Sequence, residues 1–255
     1  MSERFHFDVD GERLTAFVYA AKKPIGATLL LAHGGSGGQK DRFIVDYANG
    51  LAERGVLVVT FDFPFMEHGR RSPDPDDVLQ DAYRGAVVAA RQCRPKNRLF
   101  IGGKSLGGRV AAEVAVEGGE EVADIAGVVV LGYPLHPVGK STASRAQHLR
   151  DLDEPVLIVQ GTRDAFGTPD ELRRVVAALP EGSELRAVDG GDHSFMVPRR
   201  GPHTQESTEA EIQDEIARWM TEICETHEAA SRPAPARIAT HARAQLRSLR
   251  RTARP

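Results

Sequence analysis

Residues Leu99–Arg109 read LFIGGKSLGGR, an apolar run of strand type that ends in two glycines, a lysine, a serine and two more glycines. Glycine weakens the interior of both strands and helices, so four of them around one serine require a steric reason. Gly103-Lys104-Ser105-Leu106-Gly107 has the pattern G-x-S-x-G and stands between a strand pattern and a helical pattern that runs from about Ser105 to Val116. A strand that turns so sharply into a helix forces the serine into a strained backbone, and its neighbours two places away must lack side chains to avoid collision. The turn lifts the hydroxyl above the sheet edge and aims the Leu106 amide, at the helix N-terminus, toward developing negative charge. The competing reading is a Gly-rich phosphate cradle, but the G-x-x-x-x-G-K-S/T spacing of a nucleotide loop is absent.

On both sides of this stretch, strands and helices alternate. RFHFDVDGERLTAFVYA reads as two strands around a hairpin turn at Asp10-Gly11. ATLLLAH is a strand of the buried type, followed by a helical pattern from Asp41 to Arg54, the strand VLVVTFDF and a helix from Pro75 to Arg91. After Ser105 come the strands IAGVVVLGY and PVLIVQG, a helix from about Pro169 to Leu179, a strand near ELRAVDG and a last helix from about Glu209 to His227. Near-continuous apolar strands separated by helices predict an α/β fold: a mostly parallel sheet with helices on both faces and the initial hairpin as an antiparallel edge.

A serine hydroxyl is a poor nucleophile without a base, and the base needs an orienting acid. In this topology they follow the serine in the order acid, then histidine, each just beyond a strand's C-terminal end. TRDAFG after PVLIVQG places Asp164 there, and GDHSF after ELRAVDG places His193 there. Gly132-Tyr133-Pro134 leaves the other acid position, after IAGVVVLGY, without a carboxylate, and Asp192 is read as shaping the turn of its neighbour His193. His136 and His148 fall where they could line a pocket but have no matching acid; His6, His203, His227 and His241 read as solvated. The second oxyanion amide comes from the glycine loop in LLLAHGGSGG, with Gly35 the first choice and Ser36 the second, and with His33 orienting the loop.

In combination, LAHGGSGG, FDFPFMEHGRRSPD, GGKSLGGR, LGYPLHP and QGTRDAFG resemble the α/β-hydrolase superfamily. Within it they are similar to compact, dienelactone-hydrolase-like members: bacterial hydrolases grouped with the animal testis-expressed and non-specific-lethal-complex relatives. The resemblance implies an α/β-hydrolase fold, Ser105 as nucleophile, Asp164 as acid and His193 as base. Dienelactone hydrolases proper carry cysteine at the nucleophile position, where this chain has serine. No metal or organic cofactor is called for. Some relatives are interaction subunits, so a catalytically weak scaffold acting through protein partners is the alternative to a serine esterase.

Composition agrees with one α/β domain of ordinary size: 255 residues, 41% hydrophobic and 27% charged. No window reaches the ~18 apolar residues of a membrane span, and MSERFHFDVDGE lacks a signal-type apolar region. Cys93 and Cys224 are far apart and lack metal-ligand spacing, which favours a reducing cytoplasm. From Arg232 to Pro255 there are seven arginines and no acid, so the net charge of −3 hides a body near −10. SRPAPAR reads as a linker, which divides the chain into a hydrolase domain over 1–228 and a basic tail over 229–255. Three readings of that tail stand: a mobile solubilising segment, a short amphipathic helix docked on the acidic body, or a contact for anionic lipid or nucleic acid.

Only about twenty residues join the strands between Tyr133 and Glu154, too few for a large cap. The expected substrate is therefore a small or flexible ester at an open site. Phe65, Met66 and Glu67 on the rim after the fourth strand are the candidate contacts, beside Phe63, Arg70, Arg71 and, further on, Phe195. Core packing for the apolar residues and solvation for the charged ones are the competing readings.

Overall fold

A computed structural model of the chain describes residues 2–139 and 146–231. The hairpin forms first in sequence: β1 (Ser2–Val9) pairs antiparallel with β2 (Glu12–Tyr19), Val9 opposite Glu12. Asp10 and Gly11 take φ of 49° and 82°, the two positive values that a tight hairpin turn needs. β2 joins β4 (Leu57–Phe61) antiparallel, and every later pairing is parallel, through β3 (Ala27–Ala32), β5 (Arg98–Lys104), β6 (Ile125–Leu131), β7 (Val156–Gly161) and β8 (Glu184–Val188). The sheet order is β1-β2-β4-β3-β5-β6-β7-β8.

Because side chains alternate along a strand, each central strand feeds two cores. Leu30, Val128, Val130 and Ile158 pack under α3 (Asp76–Cys93), α4 (Leu106–Glu117) and α6 (Pro169–Val176). Leu29, Leu31, Val129, Leu157 and Val159 pack on the opposite face under α1 (Arg42–Glu53) and α7 (Gln205–Ser231). One compact unit runs from Met1 to Cys224. The basic segment from Arg232 onward, with the tail helix expected there, lies outside the described residues.

Four elements differ from expectation. α2 (Pro64–Glu67) and α5 (Ala146–Arg150) are too short for a hydrophobic period to reveal. α6 closes at Val176 because Ala178 and Leu179 bond back only three residues, to Val175 and Val176. α7 begins four residues early because Thr204 and Ser207 cap reciprocally, each side-chain oxygen accepting the other's backbone N–H at 3.1 Å. The connection over 132–155 holds α5 alone among its described residues.

Beneath the turn at Ser105, the buried phenol of Tyr83 on α3 donates to the Gly102 carbonyl and accepts from the Gly102 N–H, both at 2.8 Å. Tyr83→Phe would strip two buried backbone groups of this partner, so we expect a loss of about 2–3 kcal/mol in the unfolding free energy, read by urea denaturation. An unchanged midpoint would mean that β5 is held without the phenol.

Candidate active site

Ser105 occupies the junction of β5 and α4 with φ 50° and ψ −108°, a left-handed conformation costly for a residue with a side chain. Its N–H donates to the Leu131 carbonyl at 2.9 Å and its carbonyl accepts from Arg109 N at 3.0 Å, so β6 and the first turn of α4 fix the bend. The glycines now have their reason. A Cβ on Gly103 would sit 2.6 Å from the Gly107 carbonyl carbon, and one on Gly107 would sit 2.7 Å from the carbonyl oxygens of Ala32 and His33. Strand, helix and glycine loop approach each other too closely for a side chain at either position.

His193 leaves the end of β8 in a turn that Asp192 shapes: its Oδ1 accepts from the N–H groups of Ser194 (2.8 Å) and Met196 (3.0 Å). This turn carries the ring to the serine, with Nε2 2.9 Å from Ser105 Oγ. Nδ1 lies 2.7 Å from Asp164 Oδ2, in the loop after β7. A carboxylate accepts, so Nδ1 carries the proton and Nε2 is left to accept from the serine hydroxyl. Asp164 is buried, and its other contacts are Phe166 N–H on Oδ1 (2.8 Å) and Gln160 Nε2 on Oδ2 (2.8 Å). The Phe166 ring covers the imidazole at 4.5 Å.

The loop after β3 runs directly beside the serine turn. A Cβ on Gly34 would stand 3.7 Å from Ser105 Cβ, and one on Gly35 would stand 3.8 Å from Leu106 Cβ. Leu106 opens α4, so its amide is among the donors that a helix leaves unpaired at its start. His33 is fully buried, with Nε2 accepting from Phe63 N–H at 3.1 Å, which leaves the proton on Nδ1 to donate to the Gly34 carbonyl at 2.7 Å. Burial pushes its pKa down, in keeping with a neutral ring that orients the loop. Gln39 fixes the far end: its N–H and Nε2 donate to Asp62 at 2.7 and 3.0 Å, and Nε2 also reaches the Thr15 carbonyl at 2.9 Å.

The rim residues are committed largely to the fold. Phe65 is buried against His33 at 5.6 Å, and Glu67 accepts from the N–H (3.0 Å) and hydroxyl (2.8 Å) of Thr15. Met66 alone of the three is half-buried without such a tie. Phe63 and Phe195 are core residues. His136, expected to lack an acid, lies 3.3 Å from Glu171, a carboxylate that the cap of α6 places there. His148 is exposed.

Two residues that sequence reasoning passed over matter here. Gln160 is fully buried within an otherwise apolar strand; its Oε1 accepts from Tyr133 N–H at 2.8 Å while Nε2 serves Asp164 and the Gly167 carbonyl. A lone amide in VLIVQG was the available signal, since such groups are buried only when bonded. Lys104 is 7% exposed, with Nζ donating to the His193 carbonyl. Burial lowers its pKa to about 8, against the opposing pull of Asp164, Asp192 and Asp41. No group of three or more His, Cys, Asp or Glu suited to a metal ion occurs among the described residues. Nor is any described helix long and apolar enough to cross a membrane.

Comparison with solved structures places this architecture among α/β hydrolases. The chain superposes with TM-score 0.64 on an α/β serine hydrolase without lid from Xanthomonas campestris (20% identity; 92% of this chain, 96% of that one). It superposes with TM-score 0.67 on Est1E from Butyrivibrio proteoclasticus (16%; 87% and 99%) and 0.64 on a dienelactone hydrolase from Anabaena variabilis (16%; 87% and 97%). In sequence it is 26% identical over 185 residues to the non-heme chloroperoxidase CPO-A1 of Kitasatospora aureofaciens, a match covering 66% of this chain and 62% of that protein's length. Residues 26–221 match the family described as alpha/beta hydrolase domain, which is most of the chain, from β3 into α7. The chain therefore belongs to the alpha/beta hydrolase domain family.

Proposed function

We propose that this protein is a serine hydrolase that cleaves a carboxylic ester or thioester through an acyl-enzyme on Ser105. The observation that carries the reading is the unbroken pair of contacts from Ser105 Oγ to His193 Nε2 (2.9 Å) and from His193 Nδ1 to Asp164 Oδ2 (2.7 Å). His193 takes the hydroxyl proton as Oγ attacks the carbonyl carbon; Asp164 holds the ring's tautomer and stabilises the imidazolium that forms. The amides of Leu106 and of Gly35, with Ser36 as the neighbouring donor, receive the oxyanion. Collapse expels the alcohol or thiol, which leaves with the proton from His193. Water, deprotonated by the same ring, then attacks the acyl-enzyme, and the carboxylic acid and the free serine result.

Small or flexible substrates suit a site where the only helix among the described residues of the β6–β7 connection is the five-residue α5. Two cavities of about 140 and 270 Å3 share Asp41, Phe43 and Ser194 in their walls, and to the smaller, which Gly34, Ser36 and Lys104 also line, we assign one arm of the ester. We read the protein as cytoplasmic, in keeping with a sequence that carries only two cysteines, Cys93 and Cys224, far apart. A fluorophosphonate probe tests the function. We expect one probe per chain, mapped to Ser105 by peptide mass and blocked by p-nitrophenyl butyrate. A folded protein that takes no label would return the scaffold reading, in which the domain acts through protein partners.

A further inference from the structure

We propose that Lys104 is a positioning residue whose ammonium clamps the loop of His193 and so keeps the imidazole aimed at Ser105. The inference rests on the reading of His193 as the base. Lys104 ends β5 immediately before Ser105, and its side chain reaches the β8 loop. There it grips that loop at two points. Nζ donates to the carbonyl of His193 itself and stands 5.8 Å from the ring centroid of Phe195, two residues further on. Phe195 holds a left-handed φ of 61°, so the turn that presents His193 is one the chain does not adopt freely. Phe43 of α1 closes the other side, with its ring centroid 5.5 Å from Nζ. The clamp thus ties β5, α1 and the β8 loop together through one charge.

The charged and titratable groups around that amine are Asp164 from the β7 loop, Asp192 and His193 from the β8 loop and Asp41 at the cap of α1. Burial outweighs the three carboxylates and brings the amine to about 8. Lys104 also lines the cavity of about 140 Å3 with Gly34, Ser36, Asp41 and Ser194, so its proton can exchange without the fold opening. Below about pH 8 the ammonium is charged and the clamp is complete; above it the charge-assisted bond and both ring contacts weaken together. Turnover should then fall on the alkaline side while substrate affinity holds.

The test is the pH dependence of kcat for p-nitrophenyl butyrate. In the wild type we expect a fall of roughly 3- to 10-fold between pH 7.5 and 9.5 with KM within twofold, the loss of a charged donor. Lys104→Met should lower kcat at pH 7.5 roughly 10- to 100-fold, the scale of a misplaced base, and should abolish the alkaline limb. Lys104→Arg, which stays charged, should restore most of the turnover and also lack the limb. Asp41→Asn keeps the cap on Phe43 N–H, now 3.0 Å from Oδ1, but removes an anion facing the amine; it should move the limb to lower pH. It tests the clamp even where neither Lys104 variant folds. A limb that survives in Lys104→Met, or that does not move in Asp41→Asn, would overturn the proposal. The ring 15N resonances of His193 read the clamp without turnover. A step near pH 8 in the wild type supports it even in a protein that hydrolyses no ester, and the absence of that step sinks it. The ester reading stands or falls separately on the probe labelling.

Discussion

Ser105→Ala is expected to abolish hydrolysis of short p-nitrophenyl esters, with kcat down on the order of 10³-fold or more. The substitution removes the Oγ that stands 2.9 Å from His193 Nε2. The variant should fold, since alanine is smaller and Gly103 and Gly107 still allow strand, helix and loop to meet. The circular dichroism spectrum and denaturation midpoint should therefore match the wild type while fluorophosphonate labelling disappears. Turnover near the wild-type value would mean that Ser105 is not the nucleophile.

Asp164→Asn should lower kcat by roughly 10²–10⁴-fold with the fold retained. Asp164 accepts at both oxygens, from Phe166 N–H on Oδ1 and from His193 Nδ1 and Gln160 Nε2 on Oδ2, whereas an amide that keeps its oxygen on Phe166 N–H turns an NH2 donor toward the imidazole. The imidazole then favours the tautomer with its proton on Nε2, where it cannot take one from the serine. Asp192→Asn is the comparison: its Oδ1 can go on accepting from Ser194 and Met196, so turnover should change far less. If Asp192→Asn proved the more damaging of the two, the acid would be misassigned.

How far the sequence could be read depends on how local each cause is. The order of Ser105, Asp164 and His193 beyond the ends of β5, β7 and β8 was legible because the strands are apolar runs with abrupt ends, and a strand end fixes where the next residue stands. The hairpin at Asp10-Gly11 and the extent of α1, expected over Asp41 to Arg54 and observed over Arg42–Glu53, were legible because each depends on a short local pattern. Contacts made across the fold were not. Gln160 reaches Tyr133 and Lys104 reaches His193 only after β6, β7 and β8 have stacked, and sequence separations of 27 and 89 residues leave no local pattern. Glu67 looked like a rim charge because nothing near it in sequence announces Thr15, 52 residues away. α2, with a single turn, carries too few residues for a period to register.

The backbone of Ser105 sets durability against chemistry. A φ of 50° with ψ of −108° is a conformation that glycine adopts readily and serine adopts at a cost on the order of 1–3 kcal/mol. At this position the proposed nucleophile is therefore not the residue that would make the protein most robust. Selection for stability alone would favour glycine there, and would remove the hydroxyl in the same step. If Ser105 is the nucleophile we propose, a descendant released from that chemistry would have a reason to lose it before any other residue of the site. The serine's presence is thus an expense that a purely structural role leaves without a return.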